Sequence, residues 1–207
     1  MLAALLAVLA SADTLRIVPR ATAPALEARV DSVAWGPPAA RIDVAGGIAR
    51  LWLVRADSGF YLAVSVPDST ASWSDQLIIA LDTQGDRSSA PDHDDFLWDF
   101  NRVLDSSEVF RGKDGRWQPP RDDPDWRLGP EREGGGWSVR SSSDAAGWQV
   151  VIRFDAEYFA QAGNRGAGLE IRIRDGDARS SATWPAWPPL PQPAALDDRP
   201  ERWGVVP

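Results

Sequence analysis

From Arg41 onward the chain alternates apolar and polar positions, the period-two repeat of strands that bury one face. Leu51 to Val54 opens the series, and Asp57-Ser58-Gly59 supplies a turn. Phe60, Leu62, Val64 and Val66 then share one face, with Tyr61, Ala63 and Ser65 on the other. Leu77, Ile79 and Leu81 point inward on the next strand, which ends at Asp82, and an apolar run restarts at Phe96. Trp137 and Val139 resume the alternation, followed by Trp148, Val150, Ile152 and Phe154. A last strand sets Leu169, Ile171 and Ile173 against Glu170, Arg172 and Arg174. Short alternating strands separated by turns predict antiparallel sheets, and two such sheets packed together give an all-β, jelly-roll-like sandwich.

One short helix is expected near 156–162, with Asp155 as N-cap and Gly163 as its stop. Three stretches depart from the strand pattern. Asp13 to Pro38 reads as an extended lead-in, with one short strand around Arg29 to Val33. Arg111 to Gly136 is rich in Gly and Pro yet holds Trp117 and Trp126, and an aromatic-bearing loop of that length reads as a binding element. The third is the Pro-rich run Trp184-Pro185-Ala186-Trp187-Pro188-Pro189.

A chain of 207 residues fits one domain with a sizeable core. Met1 to Ala12 is almost purely apolar and ends in Ala10-Ser11-Ala12, the outline of a secretory signal. It has no Lys or Arg, so either the α-amino group supplies the positive charge or the true start lies upstream. Residues 1–12 are therefore read as a leader, residues 13–207 as the domain, and the destination as periplasmic or extracellular. The leader is too short to span a bilayer. A net charge of −8 argues against a nucleic-acid partner, whose phosphates call for clustered cations. With no cysteine there are no disulfides and no thiolate metal sites.

Candidate chemistry lies in two places. Asp82, Asp86, Asp92, Asp94 and Asp95 crowd the loop between two strands. Oxygen-only ligands suit calcium, and Asp82, Asp86, Asp92 and Asp94 are the candidate ligands, although the spacing is not that of an EF-hand. The same residues also suit a solvated loop closed by Asx-turns. His93, the only histidine, cannot make a zinc site without cysteine partners, and there is no Gly-x-Ser-x-Gly nucleophile motif. The second place is the tryptophans, of which there are 11. Trp52, Trp137 and Trp148 fall in strand phase, while Trp73, Trp98, Trp117, Trp126, Trp184 and Trp187 fall in loops or at strand edges. A loop indole beside polar side chains offers a stacking face with hydrogen bonds alongside. Trp98 with Asn101 and Arg102, Trp126 with Asp125 and Arg127, and the pair Trp184 and Trp187 are the ligand-binding candidates. Each could equally pin a loop onto the sandwich.

In order, these elements resemble family 9 carbohydrate-binding modules and the related DOMON-like sandwich domains. The resemblance rests on Arg29-Val30-Asp31 with Ala34-Trp35, then Ala49 to Trp52, then Phe60 to Val66 with Asp68. It continues through Asp75 before Leu77 to Asp82, Gly147 to Ile152, Gly168 to Asp175, and Trp203-Gly204. Ser32 stands where the family has Gly, and Val151 where many relatives have Glu. The resemblance implies non-catalytic glycan binding by aromatic and polar side chains, calcium in some members, and a setting in polysaccharide breakdown. Haem ligation through a Met–His pair, as in some DOMON domains, is not expected, because Met1 is the only methionine. The expected partner is a glycan or polysaccharide. The alternatives are a cell-envelope protein-interaction module and, more weakly, glycoside hydrolysis by a carboxylate pair.

Overall fold

The computed structural model describes residues 14–27, 29–119, 136–160, 162–176, 184–189 and 199–207. Among them two sheets stack as a β-sandwich. The first sheet contains β1 (Val18–Pro19), β2 (Ala40–Val44), β3 (Gly47–Ala56), β4 (Gly59–Val66), β9 (Trp137–Asp144) and β10 (Gly147–Phe154). Its order is β1-β3-β4-β10-β9, with β2 also pairing β3. The second contains β5 (Gln76–Asp82), β6 (Asp95–Asn101), β7 (Ser106–Lys113), β8 (Arg116–Gln118), β11 (Ala167–Arg174), β12 (Ala186–Trp187) and β13 (Gly204–Val206). Its order is β12-β11-β5-β6-β7-β8, with β13 also pairing β11. All pairings between these strands are antiparallel except β1 with β3.

The alternation sets the core as expected. Phe60, Leu62, Val64 and Val66 of β4 meet Leu77, Ile79 and Leu81 of β5 and Leu169, Ile171 and Ile173 of β11 between the sheets. The opposite face of the first sheet is also buried. Trp52, Val54, Tyr61, Ala63 and Val151 form a second cluster there with Trp35, and Val18, Leu26 and Val30 of the lead-in pack on it. That second layer explains why Tyr61 and Ala63, the alternate positions of β4, are as buried as their neighbours.

Three expectations are corrected. The segment around Arg29 to Val33 is no strand: Ser32–Trp35 form a helical turn, α1, because the Asp31 side chain accepts a hydrogen bond from Val33 N at 2.9 Å and caps it. The helix expected near 156–162 is present but shorter, as α2 (Glu157–Ala160), and the Asp155 carboxylate pairs with Arg153 at 2.5 Å. The irregular stretch from Arg111 begins as strand, because β7 runs to Lys113 and turns through Asp114-Gly115 into β8, while the part over 120–135, with Trp126, lies outside the described residues. Its glycines serve that hairpin. A Cβ on Gly112 would lie 2.3 Å from the Asp92 carbonyl oxygen, so the bare backbone lets the acidic loop rest on β7.

Candidate functional site

The acidic loop is built from carboxylates that fold it. Asp82, fully buried, accepts from Gly85 N at 2.5 Å and from Arg87 N at 3.1 Å, closing the turn after β5. Gly85 and Arg87 both take positive φ to allow this. Asp95 opens β6 and accepts from Asp92 N at 2.8 Å. Asp94 accepts from Gln84 N at 3.2 Å through one oxygen, and its other oxygen is buried with no hydrogen-bond donor. Asp95 Oδ1 is buried in the same condition. Burial, reinforced by the hydrogen bond and charge of Asp92 and the charges of Asp86 and Asp82, pushes the Asp94 carboxyl up to about 7. Burial likewise pushes Asp95 up to about 8.

Buried carboxylate oxygens without donors are costly unless a cation meets them. Asp82, Asp86 and Asp94 each bring one oxygen within 4.8 Å of the others. These residues fit a hard divalent cation, which takes oxygen ligands. Asp92 joins a second set with His93 and Asp94, where His93 Nδ1 lies 3.6 Å and 3.5 Å from the two carboxylates. Three of the four ligands expected from the sequence thus converge, and the fourth meets them through Asp94.

The expected ligand-binding residues divide. Trp98 is corrected outright: it is 0% exposed, so no ligand can reach its ring. It sits inward on β6, edge-on to Phe154 at 4.9 Å, Tyr158 at 6.0 Å and Trp137 at 6.4 Å, the aromatic centre of the core. Arg102 is a structural hub. Its Nη1 donates to Asp68 at 2.6 Å, Thr70 O at 2.7 Å and Asp75 at 3.0 Å, and its Nε to Ser143 at 3.0 Å. Asn101 holds two loops, donating to Trp73 O at 2.7 Å and accepting from Val103 N and Leu104 N. Trp187, on β12, is buried in the inter-sheet core. Trp126 lies outside the described residues. Trp184 remains half-buried, with the Arg174 guanidinium over its ring at 5.6 Å from the centroid.

Trp184 and Arg174 lead to a feature the sequence reading passed over. On the second sheet the odd positions of β5 and β11 and the even positions of β6 fill the core, so their alternates share the outer face. Register sets Arg172, Ile78, Asp99 and Glu108 in one row across β11, β5, β6 and β7. The next row is Arg174, Gln76, Asn101 and Ser106. Polar contacts link the rows: Arg174 donates to Gln76 at 3.1 Å, Gln76 donates to Asp99 at 3.2 Å, and Arg172 donates to Glu170. Arg172 and Glu170 are buried although they face outward. Arg172 Nη1 and Asp99 Oδ1 are buried with no hydrogen-bond partner. Burial, aided by Glu108 and opposed by Arg174, pushes the Asp99 carboxyl up to about 6. Trp73, 75% exposed, stands just before β5, at the end of the sheet where β11 stops at Arg174.

The signal for this face was present in the sequence. Glu170, Arg172 and Arg174 occupy alternate positions of one strand, which reads as an ordinary solvated face until strand order places it within the sheet, one strand away from Asp99.

No family model matches the sequence, and no curated protein matches it. Solved structures do match. A family 9 carbohydrate-binding module from Caldicellulosiruptor kristjanssonii in complex with cellotriose aligns with a TM-score of 0.58 at 13% identity, over 92% of this chain and 91% of that one. A family 9 module from the same organism in complex with glucose aligns with a TM-score of 0.53 at 14% identity, over 79% and 80% of the two chains. The chain is a β-sandwich with the fold of the family 9 carbohydrate-binding modules.

Proposed function

We propose that this domain binds a saccharide on the outer face of its second sheet, without catalysis, and that the protein is exported to the periplasm or beyond. The observation that carries the site is the half-buried Trp184 ring with the Arg174 guanidinium over it, on the face that also holds Gln76 and the half-buried Asp99 carboxyl. Sugar hydroxyls donate and accept, so a bound ring exchanges hydrogen bonds with such polar side chains while its C–H face packs on an indole. Glu108 adds a polar group on that face, and Trp73 is the second indole at that end. The fold supports the same reading, since both modules named above hold sugars in their structures. Export rests on the leader pattern of Met1 to Ala12.

The acidic loop belongs to the same reading as a brace. A calcium ion held by Asp82, Asp86 and Asp94 would meet the buried Asp94 oxygen that lacks a donor, fixing the turn between β5 and β6.

Calorimetric titration with cellotriose and affinity electrophoresis in soluble polysaccharides test the binding. Trp184→Ala should weaken binding about tenfold or more, equivalent to about 1.4 kcal/mol, with the fold intact by circular dichroism. Unretarded migration in every polysaccharide gel, with one protein co-purifying instead, would replace glycan binding by the envelope-interaction alternative.

A further inference from the structure

The inward positions of a sandwich are ordinarily apolar, and along most of this one they are. At the edge where β7 faces β9 they change. On β9, Trp137, Val139, Ser141 and Ser143 pair with Phe154, Ile152, Val150 and Trp148, all core residues of β10. The inward series of β9 therefore turns from apolar to hydroxyl at Ser141. On the other sheet Ser107 pairs with Phe100, again a core residue, so it also faces inward. Between these serines the sheets part around a cleft of about 470 Å³, within the range of about 300–1,000 Å³ usual for small-ligand sites.

The floor of the cleft is Phe100, Trp148 and Val150, none more than 5% exposed. Its walls carry hydroxyls from both sheets. Two contacts hold them in place: Ser141 Oγ donates to Asp105, and Arg102 Nε donates to Ser143 Oγ at 3.0 Å. Arg102 is itself fixed by Asp68 and Asp75, so the wall is pinned to a rigid hub. Apolar side chains at 107, 141 and 143 would close the gap and extend the core, with a gain for each buried methylene. Hydroxyls held open against an aromatic floor suit an occupant that is apolar on one face and polar at its rim.

We infer that this inter-sheet cleft is a second saccharide site, independent of the outer face. A sugar ring lays its C–H face on Trp148 and Phe100 and exchanges hydrogen bonds with Ser107, Ser141 and Ser143. The two sites take opposite faces of the same strands, because Ser107 and Phe100 have the opposite phase to Glu108 and Asp99, and they border each other at Asn101 and Ser106. A domain with both engages one glycan at two points or two chains at once, which raises its avidity without strengthening either contact.

Amide NMR of the full chain titrated with cellotriose separates the two. Shifts at residues 105, 107, 139, 141 and 143 are expected, with a saturation curve distinct from that of Gln76, Asp99 and Arg174. Ser141→Tyr fills the mouth and should abolish the first set while leaving the second. If that variant does not fold, Ser107→Val removes one hydroxyl and should weaken the first set about tenfold. Cellotriose shifts confined to the outer-face set, or cleft shifts that survive both substitutions unchanged, overturn the second site. Shifts confined to the cleft instead uphold it and remove the outer-face reading.

Discussion

Asp99 shows how one side chain changes meaning with its surroundings. In the sequence it is a polar residue beside Trp98; in the sandwich the two point opposite ways, Trp98 into the core and Asp99 onto the outer face. Burial and the facing Glu108 raise the Asp99 carboxyl to about 6, above the usual carboxylate value of about 3.9. The fold therefore favours the neutral acid. Its contribution to stability is whole below about pH 4 and is lost as pH rises through about 6. The melting temperature of the native protein relative to Asp99→Asn should accordingly fall between pH 4 and 7, and a flat difference would show an unperturbed carboxyl. The tryptophans separate as sharply. Trp98→Ala should lower the unfolding free energy by about 3–5 kcal/mol, as for any large core truncation. Trp73→Ala, at an exposed position, should change it by no more than about 0.5 kcal/mol. Urea denaturation of the two variants makes the comparison.

At the scale of elements, the connection from β5 to β6 carries the most consequence. The sequence shows a cluster of acids between two apolar runs, and the spacing is equally that of a solvated loop. The fold decides that Asp82, Asp94 and Asp95 are buried, because Gly112 allows the loop to lie against β7 and the strand ends draw it over the sheet. A bound cation at 100 times its Kd stabilises by about 2.7 kcal/mol, and for a domain of this size EDTA should then lower the melting temperature by about 5–10 °C. Asp86→Asn, on the exposed side of the set, should remove that EDTA response. An unchanged melting temperature in EDTA would leave the loop closed by its own hydrogen bonds alone. Arg102 works at the same scale. It reads as a ligand contact beside Trp98, yet its side chain is 3% exposed and ties the end of β6 to Asp68, Asp75 and β9.

For the whole molecule, the period of two along β4, β5, β10 and β11 determines the all-β class, the sandwich and the inward residues. Period is a local property: each strand's burial pattern follows from its own residues once one face must leave water. The lead-in marks the limit of that reasoning. Asp13 to Pro38 lacks periodicity, but much of it packs as a second layer around Trp35 and Trp52, a contact no local pattern announces. The β7–β8 hairpin is another case, since its glycines resemble a loop's until a partner strand is present. What only the tertiary structure decided is which residues from distant strands share a row or a cleft. Arg172 shares a row with Ile78 and Asp99, and Ser107 lines one cleft with Ser141 and Ser143, through cross-strand register and the spacing of the sheets. Both arise from pairings far apart in the chain, and the order of the residues shows which ones alternate along a strand but not which strands they meet.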